Sequence, residues 1–251
     1  MPAGTPSRRR PPRPLGVPVL VPVPKSWWFD GLLLAGLVAL TAGLIWWPPL
    51  LRLDIVVRDW CDQHRPDPVS TMMWFFDHLG QGGILTVVTV LVSFWLAWRH
   101  RTVRPIIPAG LAPIVSTLLI VGLKRWTSRG APHHGSVEMF SDGWEEYYPS
   151  GHVSNGIVYY GVLAMLLSPY LSVLARRLLM WVPGVLTFIG TTYLGYHWLT
   201  DSIAGYLLGL LIVRLLLRVP WRTLPLPRWL DRRGRVRDGD PAAPTRPGVS
   251  R

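Results

Sequence analysis

Six apolar stretches, each close to the ~20 residues that carry a helix across a bilayer, restrict this chain to a helical membrane fold. They cover roughly residues 29–47, 82–98, 105–123, 153–171, 178–196 and 202–217. A hydrophobic fraction of 49% and a mean hydropathy of +0.28 agree with that reading and set the chain apart from ordinary soluble domains. The expected fold class is all-α, a six-transmembrane-helix bundle. Residues 1–25 are rich in Pro and Arg and read as a disordered basic cytoplasmic tail, residues 26–220 as the membrane domain, and residues 221–251 as a second basic, disordered tail. A helix-permissive segment over 69–79 is too short to span and predicts an interfacial helix between the first two crossings.

The charge of +12 is distributed by topology. Arg8, Arg9, Arg10, Arg13 and Lys25 precede the first span, and Arg99, Arg101 and Arg104 follow the second. Arg176 and Arg177 follow the fourth, and an arginine-rich tail follows the sixth. In a six-span chain those segments share one side, while the opposite loops mix Arg with Asp and Glu. The positive-inside rule then makes both termini cytoplasmic. Attraction to anionic head groups accounts for the basic tails without nucleic acid as a partner. Trp27, Trp28, Trp46, Trp47, Trp98 and Trp181 fall near predicted span ends, as an interfacial aromatic belt would. Cys61 is alone, so no internal disulfide forms, and no small-residue cleavage site follows the proline-broken stretch 14–24.

Three constellations carry chemistry, and the charge-derived topology puts all three on the outer side. Pro149-Ser150-Gly151-His152 opens the fourth span. There the first N–H groups of a helix lack partners and the helix dipole favours an anion. An ordinary serine N-cap beside an interfacial histidine would leave the same four residues. His197 and Asp201 stand i, i+4, so a helix sets them on one face, where the carboxylate can fix the imidazole tautomer and leave the other nitrogen basic. A surface His–Asp pair would look alike. Lys124 is one of only two lysines among 26 Lys plus Arg, and it ends the third span. A compact ammonium there suits a phosphate oxygen, or else snorkels as an end-anchor. His133, His134, Glu138 and Asp142 lack the spacing of a metal site.

These motifs resemble the type 2 phosphatidic acid phosphatase family, membrane lipid phosphate phosphatases related to vanadium haloperoxidases. That family reads Lys-x6-Arg-Pro, then Pro-Ser-Gly-His, then Ser-Arg-x5-His-x3-Asp. The second motif is intact here, the first keeps Lys124 and Pro132, and the third keeps His197 and Asp201. The resemblance implies a phosphatidic acid phosphatase/haloperoxidase-like core. It implies a metal-independent, cofactor-free hydrolase of a lipid phosphate or polyprenyl (pyro)phosphate, with membrane lipids as surroundings. His197 becomes the nucleophile, Asp201 its orienting partner and His152 the acid, with Ser150, Gly151 and Lys124 binding phosphate oxygens. Arginine usage of this kind points to a GC-rich bacterial genome and tilts the substrate towards a cell-wall carrier lipid. Two motif arginines are replaced, by Ala131 and by Thr191, which follows Gly190. Arg129, two residues before Ala131, is the expected substitute for phosphate binding. The alternative is a catalytically inactive relative that binds a phospholipid or partner without turnover.

Overall fold

The computed structural model describes residues 26–141, 146–221 and 224–227, so both predicted tails and Asp142 lie outside the described residues, apart from Trp221 and 224–227. Within them the chain forms eight helices. They are α1 (Trp28–Trp46), α2 (Pro48–Gln63), α3 (Asp67–His78), α4 (Gly82–His100), α5 (Ile106–Thr127), α6 (Gly151–Leu166), α7 (Val173–Tyr193) and α8 (Leu199–Arg218). Helices α1, α4, α5, α7 and α8 are long and apolar enough to cross a membrane. Their outward faces expose large apolar side chains such as Val38, Leu91, Phe94 and Leu118, as expected where lipid is the solvent.

The fourth expected crossing departs from its predicted length. Helix α6 has 16 residues and stops at Leu166 rather than 171, a rise of about 24 Å at 1.5 Å per residue. Twelve of its residues are buried, because α4, α5, α7 and α8 all pack around it. A helix apolar all round is what such a central position demands. Helix α7 starts five residues before its predicted boundary, where Ser172 caps it by accepting from the Ala175 N–H at 3.1 Å. Trp181 therefore stands well inside α7 rather than at its end.

What reads as a first outer loop is two helices. Residues 67–78 bear out the predicted short helix, α3, but α2 goes unnoticed in the sequence because Arg and Asp interrupt its apolar residues. Pro48 and Pro49 at its first positions are the local start signal. Helix α2 exposes Leu53, Val56 and Trp60 while burying Asp54, and α3 exposes Met72, Trp74 and Phe75 while burying Asp77.

Close approach of α6 and α8 depends on small residues, as helix pairs in lipid do. Gly205 and Gly209 are four apart on α8, and the Ser154 hydroxyl donates to the Gly205 carbonyl at 3.0 Å. A Cβ at Gly205 would lie 2.5 Å from the Ser150 carbonyl oxygen, and one at Gly209 3.0 Å from that of Ser154. At the far ends of these helices Arg214 and Arg218 donate to the Asp30 carboxylate, tying α1 to α8. Gly205→Ala should lower the thermal unfolding temperature in detergent, since overpacking costs ~1–3 kcal/mol. Gly110→Ala, where nothing lies within 4 Å of the new methyl, should leave that temperature unchanged or raise it.

Candidate active site

The polar ends of α5, α6 and α8 converge. Helix α6 starts at Ser150, whose hydroxyl oxygen accepts from the Val153 N–H at 3.4 Å and whose own N–H donates to the Asp201 carbonyl at 2.9 Å. The first turns of α6 and α8 are thereby joined. Between α7 and α8 the chain reverses through 194–198, where Gly195 takes φ +68. A side chain there would be strained, and its Cβ would lie 2.2 Å from the His133 ring. This turn delivers His197.

His152 and His197 face each other with ring centroids 6.5 Å apart at 57°. His197 is 7% exposed, and its Nδ1 stands 3.6 Å from Asp201 Oδ2, longer than a hydrogen bond, with no other partner among the described residues. Lys124, in the last turn of α5, donates to the Glu146 carbonyl, and its Nζ lies 5.5 Å from the Tyr147 ring. Lys124, Glu146, Tyr147, Gly151, His152, Asn155, His197 and Gly82 line one cleft of about 560 Å³. Two imidazoles, an ammonium and the opening of a helix around one hollow can hold an anion and move protons to and from it.

Two predicted phosphate ligands are not in that cleft. Ser150 is fully buried, its oxygen occupied as the α6 cap. Arg129, expected to grip phosphate, is likewise fully buried, with its guanidinium turned to two carboxylates rather than to the cleft. Its Nη1 donates to Asp201 Oδ1 at 2.5 Å and Thr200 Oγ1 at 2.8 Å, its Nη2 to Asp54 Oδ2 at 2.6 Å, and its Nε to the Val137 carbonyl at 2.8 Å. Burial alone would lower its pKa, but Asp201 and Asp54 outweigh that and hold it above the ordinary arginine value. Thr200 adds N–H and hydroxyl bonds to Asp54 at 2.9 and 2.5 Å. With Asp201 Oδ2 also accepting from the Trp198 N–H at 3.2 Å, the carboxylate beside His197 is held from both oxygens.

Sequence reasoning missed Asp54, Asp77, Tyr147 and Asn155. The two aspartates carried a usable signal, since each is an acidic residue in a helix whose other face is apolar. Tyr147 meets the His197 ring edge-on at 5.7 Å, and nothing local marks it. The positions of the missing arginines are closed, with Ala131 5% exposed and Thr191 fully buried. His133 pairs with Asp62 at 3.0 Å, and Arg125 reaches the rim through Glu146 at 3.7 Å.

This is a helical integral membrane protein whose polar helix ends form one imidazole-lined cleft. Residues 105–225 match the PAP2 superfamily. The chain is 28% identical over 152 residues to phosphatidylglycerophosphatase B of Bacillus subtilis (strain 168), covering 57% of this chain and 71% of the relative. Its fold matches the crystal structure of a transmembrane PAP2-type phosphatidylglycerolphosphate phosphatase from Bacillus subtilis. The TM-score is 0.65 and the identity 24%, over 74% of this chain and 93% of the other. These three likenesses together support membership of the PAP2 superfamily.

Removing Arg129 should leave two buried carboxylates unpaired. Arg129→Ala is expected to cost ~3–5 kcal/mol of stability, measured by unfolding in detergent. Adding Asp54→Ala should recover part of that loss, because one uncompensated charge is removed with it.

Proposed function

We propose that this protein is a membrane phosphatase that hydrolyses a lipid phosphate through a phosphohistidine, without a metal ion. The observation that carries the reading is the pair of imidazoles across one cleft, one of them backed by a buried carboxylate. With Nδ1 of His197 turned to Asp201, Nε2 is the nitrogen that attacks phosphorus. The bond to the lipid oxygen breaks, and His152 gives its proton to the departing alkoxide. Water then attacks the phosphohistidine and yields its proton to His152, releasing inorganic phosphate and restoring both rings. Lys124 and the first N–H groups of α6, at Gly151 and His152, bind the non-bridging oxygens.

The charge asymmetry of the connecting segments supports a cleft on the outer face with both termini inside. The relative named a phosphatidylglycerophosphatase favours a terminal phosphomonoester on a glycerolipid over a polyprenyl (pyro)phosphate carrier. A second reading, a relative that binds lipid phosphate without turnover, is favoured by one observation: Arg129 is spent on Asp54 and Asp201, leaving Lys124 as the cation lining the cleft among the described residues.

Purified protein in detergent should release phosphate from phosphatidylglycerophosphate or phosphatidic acid in the presence of EDTA, with a bell-shaped pH profile. His197→Ala should lower that rate at least ~100-fold, the scale of losing a catalytic group. Binding without release by the unaltered protein would establish the second reading, and loss of activity with EDTA would refute the metal-free route. Restoring arginine is a poor discriminator, because positions 131 and 191 are buried.

A further inference from the structure

We propose that Asp77 of α3 is the positioning carboxylate of His152, forming a second imidazole–carboxylate pair opposite His197–Asp201, and that Gly190 is the residue that admits it. The catalytic consequence rests on the phosphatase reading; the pairing does not.

Asp77 Oδ2 lies 3.9 Å from His152 Nε2, and the Asp77 side chain is 5% exposed. Its other oxygen, Oδ1, is buried with no hydrogen-bond partner among the described residues. A carboxylate withdrawn from water and left half-satisfied is costly unless a charge or donor faces it. The group that faces it is an imidazole whose proposed task is to hold a proton.

Helix α3 reaches this position because two glycines let it. A Cβ at Gly190 would stand 2.6 Å from the Met73 carbonyl oxygen and 2.7 Å from the Asp77 nitrogen, both backbone atoms that cannot move aside cheaply. A Cβ at Gly80 would lie 2.4 Å from the His152 carbonyl oxygen and 2.4 Å from Thr187 Cγ2. The end of α3 is therefore wedged between α7 and the first turn of α6. Gly190-Thr191 occupies the places where the resembled motif has Ser-Arg, and even a serine Cβ at 190 would push α3 outward. The altered motif and the approach of Asp77 are thus one structural change.

The groups around His152 make Asp77 distinctive. From α3 come Asp77 and His78, from α5 Lys124, from the α7–α8 turn His197, and from the loop before α6 Glu146 and Tyr147. Burial is the largest influence against charge on His152, and His197, His78 and Lys124 add to it. The Glu146 carboxylate faces Arg125. Asp77 is the carboxylate that favours the protonated ring. Facing Nε2 at 3.9 Å, beyond hydrogen-bond length, it acts through its charge and leaves Nδ1 for the leaving oxygen.

Asp77→Asn keeps the shape and removes the charge. It should lower kcat on a lipid phosphomonoester at least ~10-fold, a part of what general acid catalysis supplies. On p-nitrophenyl phosphate, whose phenolate leaves without a proton, it should change the single-turnover rate of phenolate release less than ~3-fold, because no acid is required in that step. The basic limb of the lipid profile should move to lower pH. Gly190→Ala, by displacing α3, should reproduce the same selective loss. Equal losses on both substrates with an unmoved basic limb would mark Asp77 as merely structural, and no loss on either would dismiss it.

A measurement independent of turnover separates this from the phosphatase reading. NMR of histidine-labelled protein in detergent, with the His152 signal assigned by its absence in His152→Asn, should show its midpoint fall by roughly one pH unit in Asp77→Asn, the scale of one nearby opposite charge. An unchanged midpoint overturns the pairing even in an active enzyme. A shifted midpoint in a protein that releases no phosphate upholds the pairing and sinks only the phosphatase reading.

Discussion

One buried guanidinium holds the polar end of this protein together. Arg129 joins α2 through Asp54, α8 through Thr200 and Asp201, and its own loop through Val137. Taking three charges out of water is tolerable only when the geometry satisfies nearly every donor and acceptor. The fully buried Trp198 supports the arrangement, with the Arg129 guanidinium 5.5 Å from its ring and its Nε1 donating to the Gly130 carbonyl at 2.8 Å. The orientation of Asp201, and through it the setting of His197, follows from that network rather than from the i, i+4 spacing alone.

Below that end the fold answers to lipid. Helices must satisfy their own backbone, and association relies on close packing rather than on expulsion of water. Gly205, Gly209 and Gly161 on the α6–α8 contact meet Ser150, Ser154 and Val213 at distances that forbid larger side chains. The short central α6 can be polar at its start and apolar elsewhere because its neighbours shield it on every side. Helices α2 and α3 each turn a buried aspartate inward and an apolar face outward.

The two altered motifs have different physical meanings. At the first, an arginine near the expected place points inward and acts on Asp201 rather than on a ligand in the cleft. At the third, loss of side-chain bulk lets α3 press on α7 and bring a carboxylate beside His152. The cleft is therefore poorer in fixed positive charge than the motif pattern implies and richer in carboxylates behind its imidazoles.

Much of the architecture was legible in the chain, because a bilayer imposes a length and a polarity that local composition reveals. All six apolar runs correspond to helices, and the opening of α6 and the His197–Asp201 spacing pointed to the bundle end where two imidazoles and Lys124 gather around one cleft. Helix α2 was not legible, since alternating Arg and Asp hide an amphipathic face that only burial of Asp54 discloses. Nor could the sequence assign Arg129, because whether a guanidinium faces a ligand or a carboxylate depends on partners 72 and 75 residues away. Spacing determined which side chains share a helix face; tertiary packing decided which charges meet, since a dehydrated ion takes its role from whatever the fold brings within hydrogen-bonding reach.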